Sequence, residues 1–235
     1  MAQKSEVKMK KILGGWIGSF LFLAFTLGLT IPWIHEAKAE IKPTLAILPF
    51  FVERVENPAR GAVLCPLCKS IYQYGEVVPG SPYALTRLLY GKIEALEKFK
   101  ILPLEKVEEV LNPSAKKQFE EKPIPSAIQI GKDLNVDFIL VGYLFRFEER
   151  IGSRIGAEKP ASVGFDVHLL RVRDGKRVWD GKFDETQQAL STNLLNIGSF
   201  FRRKASWLTA EELSSVGMNE MLKRLPGPKE LEEMP

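Results

Sequence analysis

Apolar and polar positions along this chain follow two periods, and the switches between them mark out its elements. Thr44 to Val52 is a nearly continuous apolar run closed by charged residues, the pattern of a strand covered on both faces. Leu85, Leu88, Leu89, Ile93 and Leu96 then recur at helical spacing. Ser81 precedes them as a candidate N-cap, with Pro82 at the first helical position. Lys100 to Leu104 predicts a short strand, and Glu105 to Leu111 a short helix stopped near Pro113. Residues 113–125 read as a polar connection. Ser126 to Asn135 predicts a helix that buries Ile130 and Leu134, and Phe138 to Phe145 is the strongest strand in the chain.

Val163, Phe165, Val167 and Leu169 alternate with Gly164, Asp166, His168 and Leu170, which predicts a half-buried strand and leaves His168 partly exposed. Asp174-Gly175 supplies a tight turn, and Arg177 to Asp184 returns as a second strand. Thr209 with Glu212 three residues later forms a capping box that opens a last helix, running to about Leu225. Residues 54–80, rich in Pro and Gly, read as a loop, and Ile151 to Ala161 as a mobile connection. Strands alternate with helices early and form a meander later. That order predicts an α/β (α+β) fold: a mixed β-sheet of about five strands with helices packed on it, plus C-terminal helices.

Composition changes this picture little. The chain has 235 residues, 45% of them hydrophobic, and 2 Cys, which excludes a disordered, collagen-like or disulfide-dense protein. Charge changes it more. Of the net charge of +4, three units sit in residues 1–39, where five lysines face two glutamates. Residues 40–235 are therefore close to neutral and offer no general electrostatic case for nucleic acid. The lysines precede an uncharged run of 23 residues, Ile12 to Ile34, followed by Ala37-Lys38-Ala39. Such a leader keeps the amino terminus cytoplasmic and exports the rest of the chain. One expectation is a signal peptide cleaved between Ala39 and Glu40, with Ala37 and Ala39 as its small residues. The other is an uncleaved inner-membrane anchor through residues 12–34, with Trp16 and Trp33 at the two interfaces. Either way residues 40–235 are expected to be periplasmic or exported. The organisation expected is a leader over 1–39, a single envelope domain over 40–225 and a flexible tail over 226–235.

Three segments carry a resemblance. Ala46-Ile47-Leu48-Pro49-Phe50 resembles an opening strand that ends in Pro-Phe. Ile130 to Gly142 resembles a helix, a short loop with Asp and a strand ending in Val-Gly. Leu169 to Trp179 resembles a hairpin with a Gly turn and a Val-Trp return strand. In this order they resemble the cell-envelope domain shared by CsgG, the amino-terminal part of TolB and LpoB-like lipoprotein activators. The resemblance covers roughly residues 44–186. It implies an exported, non-catalytic domain used for protein–protein contact. The chain lacks a lipidated Cys after its apolar run, and residues 150–162 lack the alternation of a membrane-spanning hairpin.

Chemistry-bearing residues are few. Cys65-Pro66-Leu67-Cys68 is expected to form a structural disulfide in an oxidising compartment. Thiol exchange would require a long helix after the pair, where the sequence instead reaches Gly75 and Pro79-Gly80. Zinc would require two further ligands from His168, carboxylates or a partner chain. Haem attachment fails because Lys69 stands where a His is needed. Phe200, Phe201, Arg202, Arg203 and Trp207 form a weak candidate partner surface. No catalytic residue, metal or cofactor is assigned. The expected function is a non-catalytic, exported cell-envelope protein acting as a protein-binding scaffold or assembly accessory. Its expected partners are envelope proteins or further copies of itself, not nucleic acid. The alternative is a periplasmic thiol-disulfide or metal-binding protein using Cys65 and Cys68.

Overall fold

Two apolar layers on opposite faces of one sheet organise the fold, as a computed structural model shows. The structure describes residues 42–53, 61–188 and 206–234. The leader and its cleavage site, Ala37, Ala39 and Glu40, lie outside the described residues, as do Phe200, Phe201, Arg202 and Arg203. Among the described residues no helix is long and apolar enough to cross a membrane.

The strands are β1 (Thr44–Ile47), β2 (Phe51–Val52), β3 (Ala62–Leu64), β4 (Ile71–Gln73), β5 (Lys100–Ile101), β6 (Phe138–Glu148), β7 (Ile151–Gly152), β8 (Ala157–Lys159), β9 (Ser162–Arg171) and β10 (Arg177–Thr186). The helices are α1 (Ser81–Glu94), α2 (Leu104–Val110), α3 (Pro113–Glu121), α4 (Pro123–Asp133), α5 (Ala210–Leu222) and α6 (Pro228–Glu233). The main sheet is mixed and six-stranded, in the order β10-β9-β6-β1-β5, with β2 also pairing β6. β1 pairs in parallel with β5 and β6, whereas β6, β9 and β10 are antiparallel. The α/β expectation therefore holds, with six strands rather than five.

β1 and β6 read as continuous apolar runs because both faces are covered. Leu45, Ile47, Phe138 and Leu140 pack with α1, α5 and α6 on one side, through Leu85, Leu89, Ile93, Leu213 and Leu231. Ala46, Leu48, Ile139 and Val141 face α2 and α4 on the other, through Val107, Ala127 and Ile130. That second layer also contains Val63, Cys65, Leu67 and Tyr72. They belong to a two-stranded flap, β3–β4, where the sequence predicts only a loop. Gly142 lets Phe50 lie close on β6, since a Cβ there would come within 2.6 Å of the ring.

Four further expectations are corrected. Gly80, at φ 85°, caps α1, and the Ser81 hydroxyl instead donates to the Val78 carbonyl. Residues 113–121 are helical because the Asn112 side chain accepts from Ala115 N and Pro113 starts the turn. The connection after Glu149 contains the short pair β7–β8. The expected tail, 226–235, includes α6: Leu231 is buried, and Arg171 Nη1 donates to the carbonyls of Leu231 and Met234, each at 2.9 Å. The capping box of Thr209 and Glu212 is present as predicted.

Candidate functional site

The flap folds over the face of β9 that the sequence assigns to solvent. β9 alternates, so Val163, Phe165, Val167 and Leu169 enter the helix-covered layer. Asp166 and His168 point the other way and meet the flap. Both are 0% exposed, which corrects the expectation of a partly exposed His168.

The Cys65-Pro66-Leu67-Cys68 turn aims its sulfurs at this pair. Cys65 accepts through Sγ from the amides of Leu67 (3.3 Å) and Cys68 (3.4 Å), which winds the segment around that sulfur. Lys69 completes the turn at φ 60°, with its amide donating to the Cys65 carbonyl. Both cysteines are free thiols here, so the expected disulfide is not formed. Instead, Cys65 Sγ lies 3.3 Å from His168 Nε2, and Cys68 Sγ donates to Asp166 Oδ2 at 3.6 Å. His168 Nε2 is 3.1 Å from Asp166 Oδ1. One donor atom from each of these four residues falls within 4.8 Å of every other.

A second layer holds the imidazole. His168 Nδ1 lies 2.5 Å from Asp180 Oδ1 on β10, which in turn takes Arg177 Nε at 3.0 Å. With Nδ1–H donating to Asp180, Nε2 is the ring nitrogen that faces Cys65 and Asp166. Two buried polar atoms close by have no hydrogen-bond partner: Asp166 Oδ1 and the Tyr72 hydroxyl. The 3.1 Å approach of His168 Nε2 to Oδ1 is therefore a contact without hydrogen-bond geometry.

Burial dominates the electrostatics. It pushes the Cys65 thiol up to about 11, against a smaller downward pull from His168. Burial opposes a charge on His168 as well, but Asp166, Asp180 and Cys65 together outweigh it and push the imidazole up to about 11. Burial and the Asp166 charge push the Tyr72 hydroxyl well above the usual phenol range. The cluster thus calls for positive charge at its centre, and Cys65, Cys68, Asp166 and His168 are the residues that can hold a cation.

The far end of the flap has its own fastening. Arg146 is buried, and its Nη1 donates to the Gln73 carbonyl at 2.8 Å. Its Nη2 pairs with Asp184 Oδ1 at 2.6 Å, while Asp184 Oδ2 accepts from Gln73 N at 3.2 Å. Of the candidate partner surface only Trp207 is described. It is half-buried, with its amide donating to the Arg154 carbonyl and its carbonyl accepting from Arg150.

Sequence reasoning joined Cys65 and Cys68 and named His168 and unspecified carboxylates as further zinc ligands, but it left His168 on an exposed face and missed Asp166 and Asp180 as members of one site. The available signal was an ionisable pair at alternate positions of one strand in a chain whose described part has two Cys and one His.

No protein-family model matches the chain, and no curated protein matches it. Among solved structures, it is similar to the PelC dodecamer from Paraburkholderia phytofirmans, at 12% identity and a TM-score of 0.44 over 79% of this chain and 89% of that one. It is similar to the hypothetical protein CT253 from Chlamydia trachomatis, at 12% identity and a TM-score of 0.47 over 78% and 95%. It is also similar to the LpoB C-terminal domain from Escherichia coli, at 14% identity and a TM-score of 0.34 over 62% and 83%.

Proposed function

We propose that residues 40–235 act outside the inner membrane as a non-catalytic, protein-binding accessory domain of the cell envelope. The leader supports export, and the three envelope-domain motifs support the binding role. The observation that carries the reading is the edge of the main sheet. β10 is ten residues long and ends the sheet, with no strand beyond it among the described residues. Its outward backbone groups form a template to which an extended segment of a partner can add as a further strand. Arg177, Asp180, Lys182 and Asp184 are exposed along it and oppose indiscriminate pairing, so the partner is one with complementary charge. Thiol exchange is the weaker reading. Burial drives the Cys65 thiol up to about 11, the opposite of what an attacking thiol requires.

Site-specific photocrosslinking in intact cells tests this. A crosslinker at Lys182 on β10 is expected to give one discrete adduct with another envelope protein. The same group at the exposed Lys117 on α3 is expected to give none. Equal labelling at both positions, no adduct, or an adduct containing only this chain overturns the proposal.

A further inference from the structure

The flap strands β3 and β4 have three residues each, too few to hold a two-stranded ribbon in place by pairing alone. Something must fasten them to the sheet. Beside the apolar packing of Val63, Leu67 and Tyr72, the flap turn meets β9 through a cluster of ionisable groups. Three of the four, Cys65, Asp166 and His168, are 0% exposed. Asp166 Oδ1 makes no hydrogen bond in a site closed to solvent, although His168 Nε2 lies 3.1 Å from it.

A metal ion would satisfy it. For a tetrahedral ion with metal–sulfur bonds of about 2.3 Å and metal–nitrogen or metal–oxygen bonds of about 2.0–2.2 Å, neighbouring ligand atoms are roughly 3.3–3.8 Å apart. The structure places Cys65 Sγ and His168 Nε2 at 3.3 Å, Cys68 Sγ and Asp166 Oδ2 at 3.6 Å, and His168 Nε2 and the other Asp166 oxygen, Oδ1, at 3.1 Å; taking one atom from each residue, all four lie within 4.8 Å of one another, so a bound ion would draw them slightly inward. The amides donated to Cys65 Sγ stabilise a thiolate there, and Asp180 orients the imidazole from behind. Two sulfurs, one imidazole and one carboxylate form a borderline-soft set that suits zinc and not magnesium or calcium.

We propose that Cys65, Cys68, Asp166 and His168 bind one zinc-class divalent cation, which fastens the β3–β4 flap to β9. Binding displaces the thiol protons of Cys65 and Cys68 and the Nε2 proton of His168 to solvent, and two thiolates, one carboxylate and a neutral imidazole that keeps its Nδ1 proton toward Asp180 close the coordination sphere. With four protein ligands the site is of the structural kind.

The test uses the full chain extracted in detergent without chelators. Elemental analysis is expected to find about one zinc per chain. Exchange with Co²⁺ is expected to give a thiolate-to-cobalt charge-transfer band and tetrahedral ligand-field bands. Cys68→Ser and Asp166→Asn, which preserve side-chain size, are expected to weaken zinc binding by more than the roughly 10- to 100-fold typical of outer-shell partners. Should either variant fail to fold, chelation of the wild-type chain serves in its place. Loss of zinc must then speed amide exchange over residues 61–75 while sparing β6. A folded chain without zinc, a Cys65–Cys68 disulfide in freshly alkylated protein, or zinc content unchanged in a folded Cys65→Ser/Cys68→Ser variant overturns the proposal.

Discussion

Replacing Asp184 by Ala should loosen the β3–β4 flap without unfolding the sheet. Asp184 Oδ2 accepts from Gln73 N at 3.2 Å, and Asp184 Oδ1 holds Arg146 Nη2 at 2.6 Å. Arg146 in turn donates to the Gln73 carbonyl at 2.8 Å, so both backbone groups of one flap residue depend on this pair. The substitution deletes the first bond and leaves a guanidinium that is only 4% exposed without its anion. A hydrogen bond to a charged group contributes about 1.5–3 kcal/mol. The Asp184 side chain is 30% exposed, so water replaces part of what is lost. The lower part of the range, about 1.5–2 kcal/mol, is the appropriate figure. At about 1.4 kcal/mol per factor of ten, the flap's opening equilibrium rises roughly 10- to 30-fold. Hydrogen exchange followed by mass spectrometry reads this directly. Peptides covering residues 61–75 should exchange faster by that factor, while peptides from α1 and β6 keep their wild-type rates. Unchanged flap exchange would show that Gln73 is held by other contacts. Equal acceleration in β6 would show that Asp184 supports the whole domain and not the flap.

Other contacts give further expected outcomes. Asp180→Ala should weaken zinc binding roughly 10- to 100-fold in a chelator competition. Asp180→Asn keeps an acceptor for His168 Nδ1 and should recover most of that loss. Arg171 holds the Asp174 carboxyl down at about 2, below its ordinary value. The stability this contributes is present above the unfolded carboxylate value of about 3.9 and is lost as pH falls towards about 2. Asp174→Asn should therefore flatten the acid limb of an unfolding-against-pH curve between about pH 4 and pH 2, and leave its slope above about pH 5 unchanged. Thr209→Ala removes half of the capping box on α5 and should cost about 1 kcal/mol in denaturant unfolding. Sequencing the mature amino terminus should find Glu40 first if the leader is cleaved, and an intact leader if it is an anchor.

Much of the sheet was legible because its strands state their environment in their own composition. β1 and β6 are apolar on both faces, β9 alternates, and Gly175 at φ 73° makes the turn into β10. The elements that escaped detection are those held by single long-range contacts. α3 buries only Phe119, so it has no stripe to detect. α6 is six residues between prolines and stays in place because Leu231 is buried and Arg171 grips its carbonyls. The flap has one inward residue in each of its strands, Val63 and Tyr72, and Tyr72 finds its partner 73 positions away by stacking on Phe145 with ring centroids 4.1 Å apart. The candidate site was half legible for the same reason. Its four residue types were visible, but cysteine and histidine lie 103 positions apart, and only the flap's placement on the polar face of β9 brings them together.

That placement also explains why a polar centre is found where an apolar one would fold more simply. Asp166 and His168 interrupt a layer otherwise filled by Leu48, Val141, Tyr143, Phe145 and Leu170. Moving a carboxylate out of water costs several kcal/mol, and replacing buried ionic groups by apolar ones of similar size is often neutral or stabilising. Two leucines at these positions, facing an apolar flap, would therefore hold β3 and β4 by burial alone. The ionisable set differs from such a core in one respect: its share of the hold on the flap, beyond the burial of Val63, Leu67 and Tyr72, lasts only while a positive charge occupies the middle. Arg146 and Asp184 fasten the Gln73 end regardless of what the centre contains. Removing a cation from Cys65, Cys68, Asp166 and His168 would thus loosen the turn end of the flap and leave the Gln73 end attached. The segment so loosened comes after β2 in the chain and lies on the face of β9, which pairs with β6 on one side and the edge strand β10 on the other. On this arrangement, metal occupancy and partner docking at β10 would be coupled through Asp180, which lies on β10 and orients the His168 imidazole.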